Sequence, residues 1–273
     1  MSRAVRLLNW KPGRELSLVL AALPFVLLIV VYLIASDARR AANPDDKLLP
    51  SAGAMAEAMG RMAFEEDRRT GQRLLWVDTG ASLKRLAQGL AIAAVVGLTL
   101  GVVIGLLPVI GTTLGPFVAA VSMVPPLAIL PILFILLGLG ELSKVALIAI
   151  GVAPFLVRDV AFRVRELPRE LLVKAQTLGA TTLQIAVRVV VPQVLPRLLA
   201  ALRLAIGPAW LFLIAAEAIA STEGLGYRVF LVRRFLAMDV ILPYVLWITF
   251  LAYLMDAGLH WLQQRLFPWS EGR

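Results

Sequence analysis

Leu86-AQGLAIAAVVGLTLGVVIGLLPVIGTTLGPFVAAVSMVPPLAILPILFILLGL-Gly140 contains no charged residue. A helix crosses a bilayer core with roughly 20 apolar residues, so this run predicts two passages. Leu107-Pro108-Val109-Ile110-Gly111 is the natural break, because proline and glycine punctuate helices. In the first passage Gly89, Ala93, Gly97, Gly101 and Gly105 recur every four residues and form one stripe on a helix. Such a stripe lets another helix approach closely. The ordinary reading is helix packing; the functional alternative is that helices slide along the stripe during gating. In the second passage Pro125, Pro126 and Pro131 each remove a backbone donor and are predicted to kink the helix. The freed carbonyls require partners in lipid, so this region is predicted to face protein or a cavity.

The rest of the chain agrees with a membrane class. Sixty per cent of it is hydrophobic and 16% charged, too apolar for a soluble domain. Leu16 to Ser36 is an uncharged run long enough to span and too long for a signal-peptide core, so it is predicted as a retained helix. Val145 to Val157, Leu204 to Ala216 and Val240 to Met255 are shorter apolar blocks, flanked by residues able to snorkel. Six helices in an all-α polytopic membrane fold are expected.

The chain has no cysteine, which excludes a disulfide framework and thiolate chemistry. His260, the single histidine, lies beside Trp261 and reads as an interfacial residue rather than a metal ligand. No zinc, P-loop, nucleophile-elbow or dinucleotide motif occurs, so no metal site is expected. The net charge of +9 fits basic loops on one side of a membrane better than a nucleic-acid partner. Arg3, Arg6, Lys11 and Arg14 against Glu15 place the N-terminus in the cytoplasm, and six spans return the C-terminus there. Met55, Met59 and Met62 fall on one face of a possible external helix, a pattern that usually packs and less often docks a partner.

One connector is polar and helix-forming: Glu166 to Pro192, between two apolar blocks. Pro168 suits a first turn, and Glu170 complements the helix dipole. Leu171, Ala175 and Leu178 share a face by spacing, and Gly179 follows as a C-cap. Thr181 and Gln184 have capping-box spacing and start a second helix that returns to the membrane at Pro192. Small Ala175 and Gly179 leave room for a second protein. The competing reading is an amphipathic connector on lipid headgroups, and the residues alone leave the two open.

Acids inside a membrane default to function. Glu217, at the end of the fifth span, either lines or gates a pathway or completes a structural ion pair. Asp256, in the last span, is expected to pair with a basic residue such as Arg265. Ser122, Trp210 and Thr249 are further side chains able to line a path, and Pro126 lies at the kink. Gly224-Leu225-Gly226 is expected to form a tight outer turn, and a side chain at Gly226 is costly if that residue has a positive φ angle.

Taken in order, these segments resemble a permease of the nitrate, sulfonate and taurine group of ABC importers. The resemblance runs from about Leu48 to the C-terminus. It is carried by Leu48-Leu49-Pro50-Ser51, Ala81-Ser82-Leu83-Lys84-Arg85-Leu86, Pro125 to Pro131, and Gly138-Leu139-Gly140-Glu141-Leu142-Ser143-Lys144. It continues through Leu178-Gly179-Ala180, Val189 to Pro192, Leu195-Pro196, Ala215-Ala216-Glu217 and Gly224-Leu225-Gly226-Tyr227. The family's Glu-Ala-Ala triplet falls on Val173, Lys174 and Ala175, so only its last residue is kept. The segment from Met62 to Asp78 is longer than is usual for the group and points to a subgroup with its own partner or solute.

The resemblance implies the type I importer fold and a subunit without catalysis. With the charge and hydropathy readings above, the expected organisation is a cytoplasmic N-terminus (1–15), a first transmembrane helix (16–36), a periplasmic segment (37–82), a five-helix core (83–263) with a coupling loop (163–192), and a cytoplasmic C-terminus (264–273). Two copies, as a homodimer, would form the pore in the bacterial inner membrane. A dimer of cytoplasmic ATPases, holding the ATP and Mg, would bind the loop through Glu170, Leu171, Lys174, Ala175, Leu178, Gly179, Ala180 and Pro192. An external binding protein would deliver the solute. Candidate pathway or gate residues are Ser122, Pro126, Trp210, Glu217, Gly224 and Gly226. No cofactor is expected on this chain. The expected solute is a small oxyanion such as a sulfonate, taurine or nitrate, with urea- or guanidine-like solutes kept open. A self-contained channel or secondary transporter is the alternative, although one usually shows more intramembrane charge or internally repeated broken helices, and the sequence has no convincing inverted repeat.

Overall fold

The computed structural model describes residues 12–43, 46–68 and 70–270. Arg3, Arg6 and Lys11, which carry the orientation argument, lie outside the described residues, as do Asp45 and residues 271–273. The described residues form eleven α-helices and no strand: α1 (Arg14–Ala42), α2 (Ala52–Phe64), α3 (Leu74–Leu106), α4 (Pro108–Val121), α5 (Pro126–Leu137), α6 (Glu141–Arg165), α7 (Arg169–Thr177), α8 (Thr182–Ile185), α9 (Val191–Ala220), α10 (Leu225–Val232) and α11 (Met238–Leu266). A π-helical turn, Ala186–Val190, joins α8 to α9. That wide turn precedes Pro192, which has no N–H to give and whose ring crowds the carbonyl four residues earlier.

The glycine stripe organises the bundle. A Cβ built on Gly89 would lie 2.6 Å from Ile148, one on Gly97 2.6 Å from Leu156, one on Gly101 2.6 Å from Val160, and one on Gly105 2.6 Å from Val164. Both numbers in these pairs increase together, so α3 and α6 run parallel. The stripe is therefore a packing seam, as its ordinary reading expects. A leucine at Gly101 is expected to push the helices apart, since the backbone carbonyl of Val157 lies 3.0 Å from the new Cβ and cannot turn aside. Overpacking of this kind costs about 1–3 kcal/mol. Thermal unfolding of the purified protein should show a lower midpoint for Gly101→Leu, and an unchanged midpoint would refute the seam.

The parallel run settles the proline-rich passage. α3 and α6 end at the same end of the bundle, so α4 and α5 together must return the chain to the other end before α6 begins. They are one broken span, bent by 92°. The break falls at Ser122–Pro125, where Pro125 and Pro126 follow each other and the residue before a proline is forced extended. Pro131 produces no second break, because α5 continues through it. Five single helices, α1, α3, α6, α11 and the continuous α8–α9 segment, are long and apolar enough to span, and the bent pair makes six.

α1 stands away from the bundle, with none of its most apolar window buried. Two hydroxyls anchor it: Tyr32 Oη donates to the Pro50 carbonyl (2.8 Å) and Ser36 Oγ to the Leu49 carbonyl (3.0 Å). In its last turn Arg39 pairs with Asp46 beyond the helix, and this bond, aided by the Leu48 N–H, holds the Asp46 carboxyl below the usual carboxylate range. Met59 and Met62 of α2 pack on the bundle, and Met55 Sδ accepts from Tyr32. The methionine face is thus used internally.

Candidate functional site

At the end of the bundle where α3 and α6 stop, the chain turns through α7. This helix buries none of its residues. Leu172 and Ala175 rest partly against the bundle, with Leu167 and Ala180 beside them. Leu171 and Leu178 face outward, Leu178 with 87% of its surface exposed. Leu171, Ala175 and Leu178, expected from spacing to share a face, differ in exposure: the two leucines are exposed and Ala175 is half-buried. Ala175 belongs partly to the inner face, because Leu172 anchors the helix and turns it.

The turn after α7 is fixed by backbone bonds. The Gly179 N–H donates to the Gln176 carbonyl (2.9 Å) and the Ala180 N–H to the Ala175 carbonyl (3.0 Å). This is a Schellman cap, with Gly179 at φ +80°. The capping box forms as spaced: Thr181 N–H donates to Gln184 Oε1 (2.8 Å) and Gln184 N–H to Thr181 Oγ1 (3.3 Å). Glu170, Lys174, Gly179 and Pro192 are all exposed. Pro168 caps α7 from just outside the helix. The result is a short helix and a rigid turn presenting apolar side chains to the outside.

The opposite end holds a buried polar cluster. Asp78, Ser82 and Arg85 share one face of α3 and are all buried. Glu217, at the end of α9, has no exposed surface. Its carboxylate accepts from Arg85 Nη1 (2.8 Å), Ser82 Oγ (2.8 Å) and the Gly226 N–H (2.8 Å). Arg85 Nη2 also donates to Glu141 Oε1 at the start of α6 (2.8 Å), and Arg85 Nη1 to the Glu223 carbonyl (2.9 Å). Asp78 accepts from the Gly224 N–H (2.9 Å) and from Arg228 Nε (2.8 Å). One cluster thus joins α3, α6, α9, α10 and the turn before α10.

The glycines of that turn act differently from expectation. Gly224, not Gly226, has the positive φ, 126°. A Cβ on Gly224 would also fall 2.5 Å from the Glu217 carboxylate. Gly226 sits inside α10, and a Cβ there would meet the Ile214 backbone at 2.8 Å. Its requirement is close helix packing rather than backbone conformation.

The other pathway candidates are dispersed. Trp210 is buried in the core of α9, and its indole N–H has no hydrogen-bond partner among the described residues. Ser122 closes α4 and accepts from Arg158 Nη1 (2.8 Å); Pro126 opens α5 close to Gly151 of α6. Only Glu217, Gly224 and Gly226 come together, in the buried cluster rather than on an open wall. Asp256 pairs with Arg203, through Nε (2.8 Å) and Nη2 (2.9 Å), and not with Arg265, whose guanidinium stacks over Trp261 instead. Arg203 lies across the α9–α11 contact, where a fork reaches both carboxylate oxygens. His260 Nδ1 joins Arg203 Nη1 at 3.0 Å. Sequence reasoning missed Asp78 and Arg85 as a pair of anchors. The available signal was the helical spacing of three polar residues immediately before an uncharged run.

The chain is 38% identical over 195 residues to the taurine transport system permease protein TauC of Escherichia coli (strain K12), covering 71% of each chain. It is 32% identical over 197 residues to the bicarbonate transport system permease protein CmpB of Synechocystis, covering 71% of this chain and 70% of that one. An inward-facing structure of the MetNI methionine ABC transporter superposes with a TM-score of 0.62 at 20% identity, covering 70% of this chain and 96% of that one, which shows the type I importer permease fold. Residues 93–270 match the family described as binding-protein-dependent transport system inner membrane component, and the chain belongs to that family of ABC transporter permeases.

Proposed function

We propose that this subunit couples hydrolysis by a separate ATPase to uptake of a small oxyanion across the bacterial cytoplasmic membrane. Two copies form the pathway, an external binding protein delivers the solute, and ATP and Mg reside on the ATPase. The observation that carries the reading is α7, a short helix with outward leucines on a rigid capped turn, joined directly to two spanning helices. Apolar side chains exposed at a fixed helix invite a partner. A force applied to α7 reaches α6 and α9 without a flexible linker, and alternating access needs a two-state element that ATP binding biases. The relatives named for taurine and bicarbonate support an oxyanion as the solute.

The test is reconstitution in proteoliposomes with the ATPase and binding protein encoded beside this chain. Uptake of a sulfonate or bicarbonate should require ATP on the ATPase side and loaded binding protein on the other. Uptake driven by an ion gradient, without the ATPase, would establish the self-contained transporter instead.

A further inference from the structure

Arg158 and Arg165 lie two turns apart on one face of α6, and both are exposed. With Thr112, Gly115 and Ala119 of α4 they line a cleft of 610 Å³ between α4 and the α7 end of α6. Neither arginine has a carboxylate in ion-pair reach among the described residues. The acids nearest in sequence are taken by Arg163, which reaches Asp159 at 3.8 Å and Glu166 at 2.9 Å. Arg158 is held inward by Ser122 Oγ at the break between α4 and α5. Arg165 Nη2 lies against the backbone of Gly111, 3.2 Å from the position a Cβ would take. Two guanidinium groups thus face one concavity with no counter-charge, in a wall otherwise made of small and apolar residues. Two cations on one cleft attract an anion, and a guanidinium offers paired donors that match an oxyanion.

We propose that this cleft is an oxyanion-binding site, in which Arg158 and Arg165 grip one sulfonate-, carbonate- or phosphate-type group. Two sources share that chemistry: the permeating solute and the phosphate of a lipid headgroup. With the solute as source, the site deepens the importer reading above; the charge argument itself does not depend on it.

The test uses the full chain purified in neutral detergent, with Arg158→Gln, Arg165→Gln and the double variant. Both side chains are exposed, so these variants keep the helical fold, which circular dichroism verifies. Binding is read as a concentration-dependent rise in thermal unfolding midpoint at constant ionic strength. The probes are methanesulfonate, bicarbonate, and mixed micelles with phosphatidylglycerol or phosphatidylcholine. The wild-type chain should be stabilised by an oxyanion probe, with the apparent Kd raised about tenfold or more in the double variant, as expected when charge-assisted bonds are lost. Response to methanesulfonate or bicarbonate identifies the solute as source, and response to phosphatidylglycerol alone identifies the headgroup. No response to any probe, or an equal response from the double variant, overturns the site. The assay contains no ATPase, so failed coupling in proteoliposomes leaves its outcome unaffected.

Discussion

Replacing Gly179 with leucine is expected to abolish ATP-dependent uptake while the chain still inserts and folds. Beyond its two chain neighbours, no described residue places an atom within 4 Å of a Cβ built at Gly179, so a side chain starts there into open space. The internal penalty is limited to holding a side chain at φ +80°, about 1–2 kcal/mol. A loss of uptake larger than that strain explains must come from a body outside the chain. Gly179→Ala separates the two contributions, because it carries the same backbone strain with little bulk. Uptake near wild type with alanine and absent with leucine, together with loss of the co-purifying ATPase, would locate the partner against this turn. Wild-type uptake and ATPase association in the leucine variant would reduce the α7 segment to a connector.

The second large effect is at the buried cluster. Glu217→Ala removes a carboxylate that three donors share and leaves Arg85 and the Gly226 N–H short of partners, together with Ser82. Breaking one side of a buried pair costs about 3–5 kcal/mol, a large part of the stability of most folds. The variant should yield little folded protein and show a strongly lowered unfolding midpoint. Asp256→Ala removes a pair whose acid is 41% exposed, so its effect should be much smaller. Equal midpoints for the two variants would mean that the Glu217 cluster does not hold the helices together. A Glu217→Ala variant that folds normally and only loses uptake would instead restore Glu217 to the transport pathway.

The cluster also explains the shape of the end that carries it. The turn before α10 is stapled to α3 through Asp78, Ser82 and Arg85, and Arg85 in turn holds Glu141 of α6. A change in the spacing of α3 and α6 there must move the turn with it. α7, at the other end, has few such ties, and none of its residues is buried.

Composition and hydropathy determined the membrane class by themselves, because no soluble core accommodates so long an uncharged run. The four-residue spacing of Gly89 to Gly105 specified a close helix contact, and the Gly179 and Thr181–Gln184 patterns specified the turn after α7, because helix caps are short-range chemistry. What needed tertiary structure was every question of partners and facing. The parallel run of α3 and α6, and hence the single broken span between them, depends on contacts some 60 residues apart. Asp256 met Arg203 rather than the nearer Arg265 because α9 packs across α11, which no local spacing encodes. Glu217 was recognisable as an acid in an apolar block, but its burial among Ser82, Arg85 and Gly226 was not. Its partners come from helices whose approach is set by packing, and a carboxylate exposed to a pathway has the same local sequence as one sealed inside an ion pair.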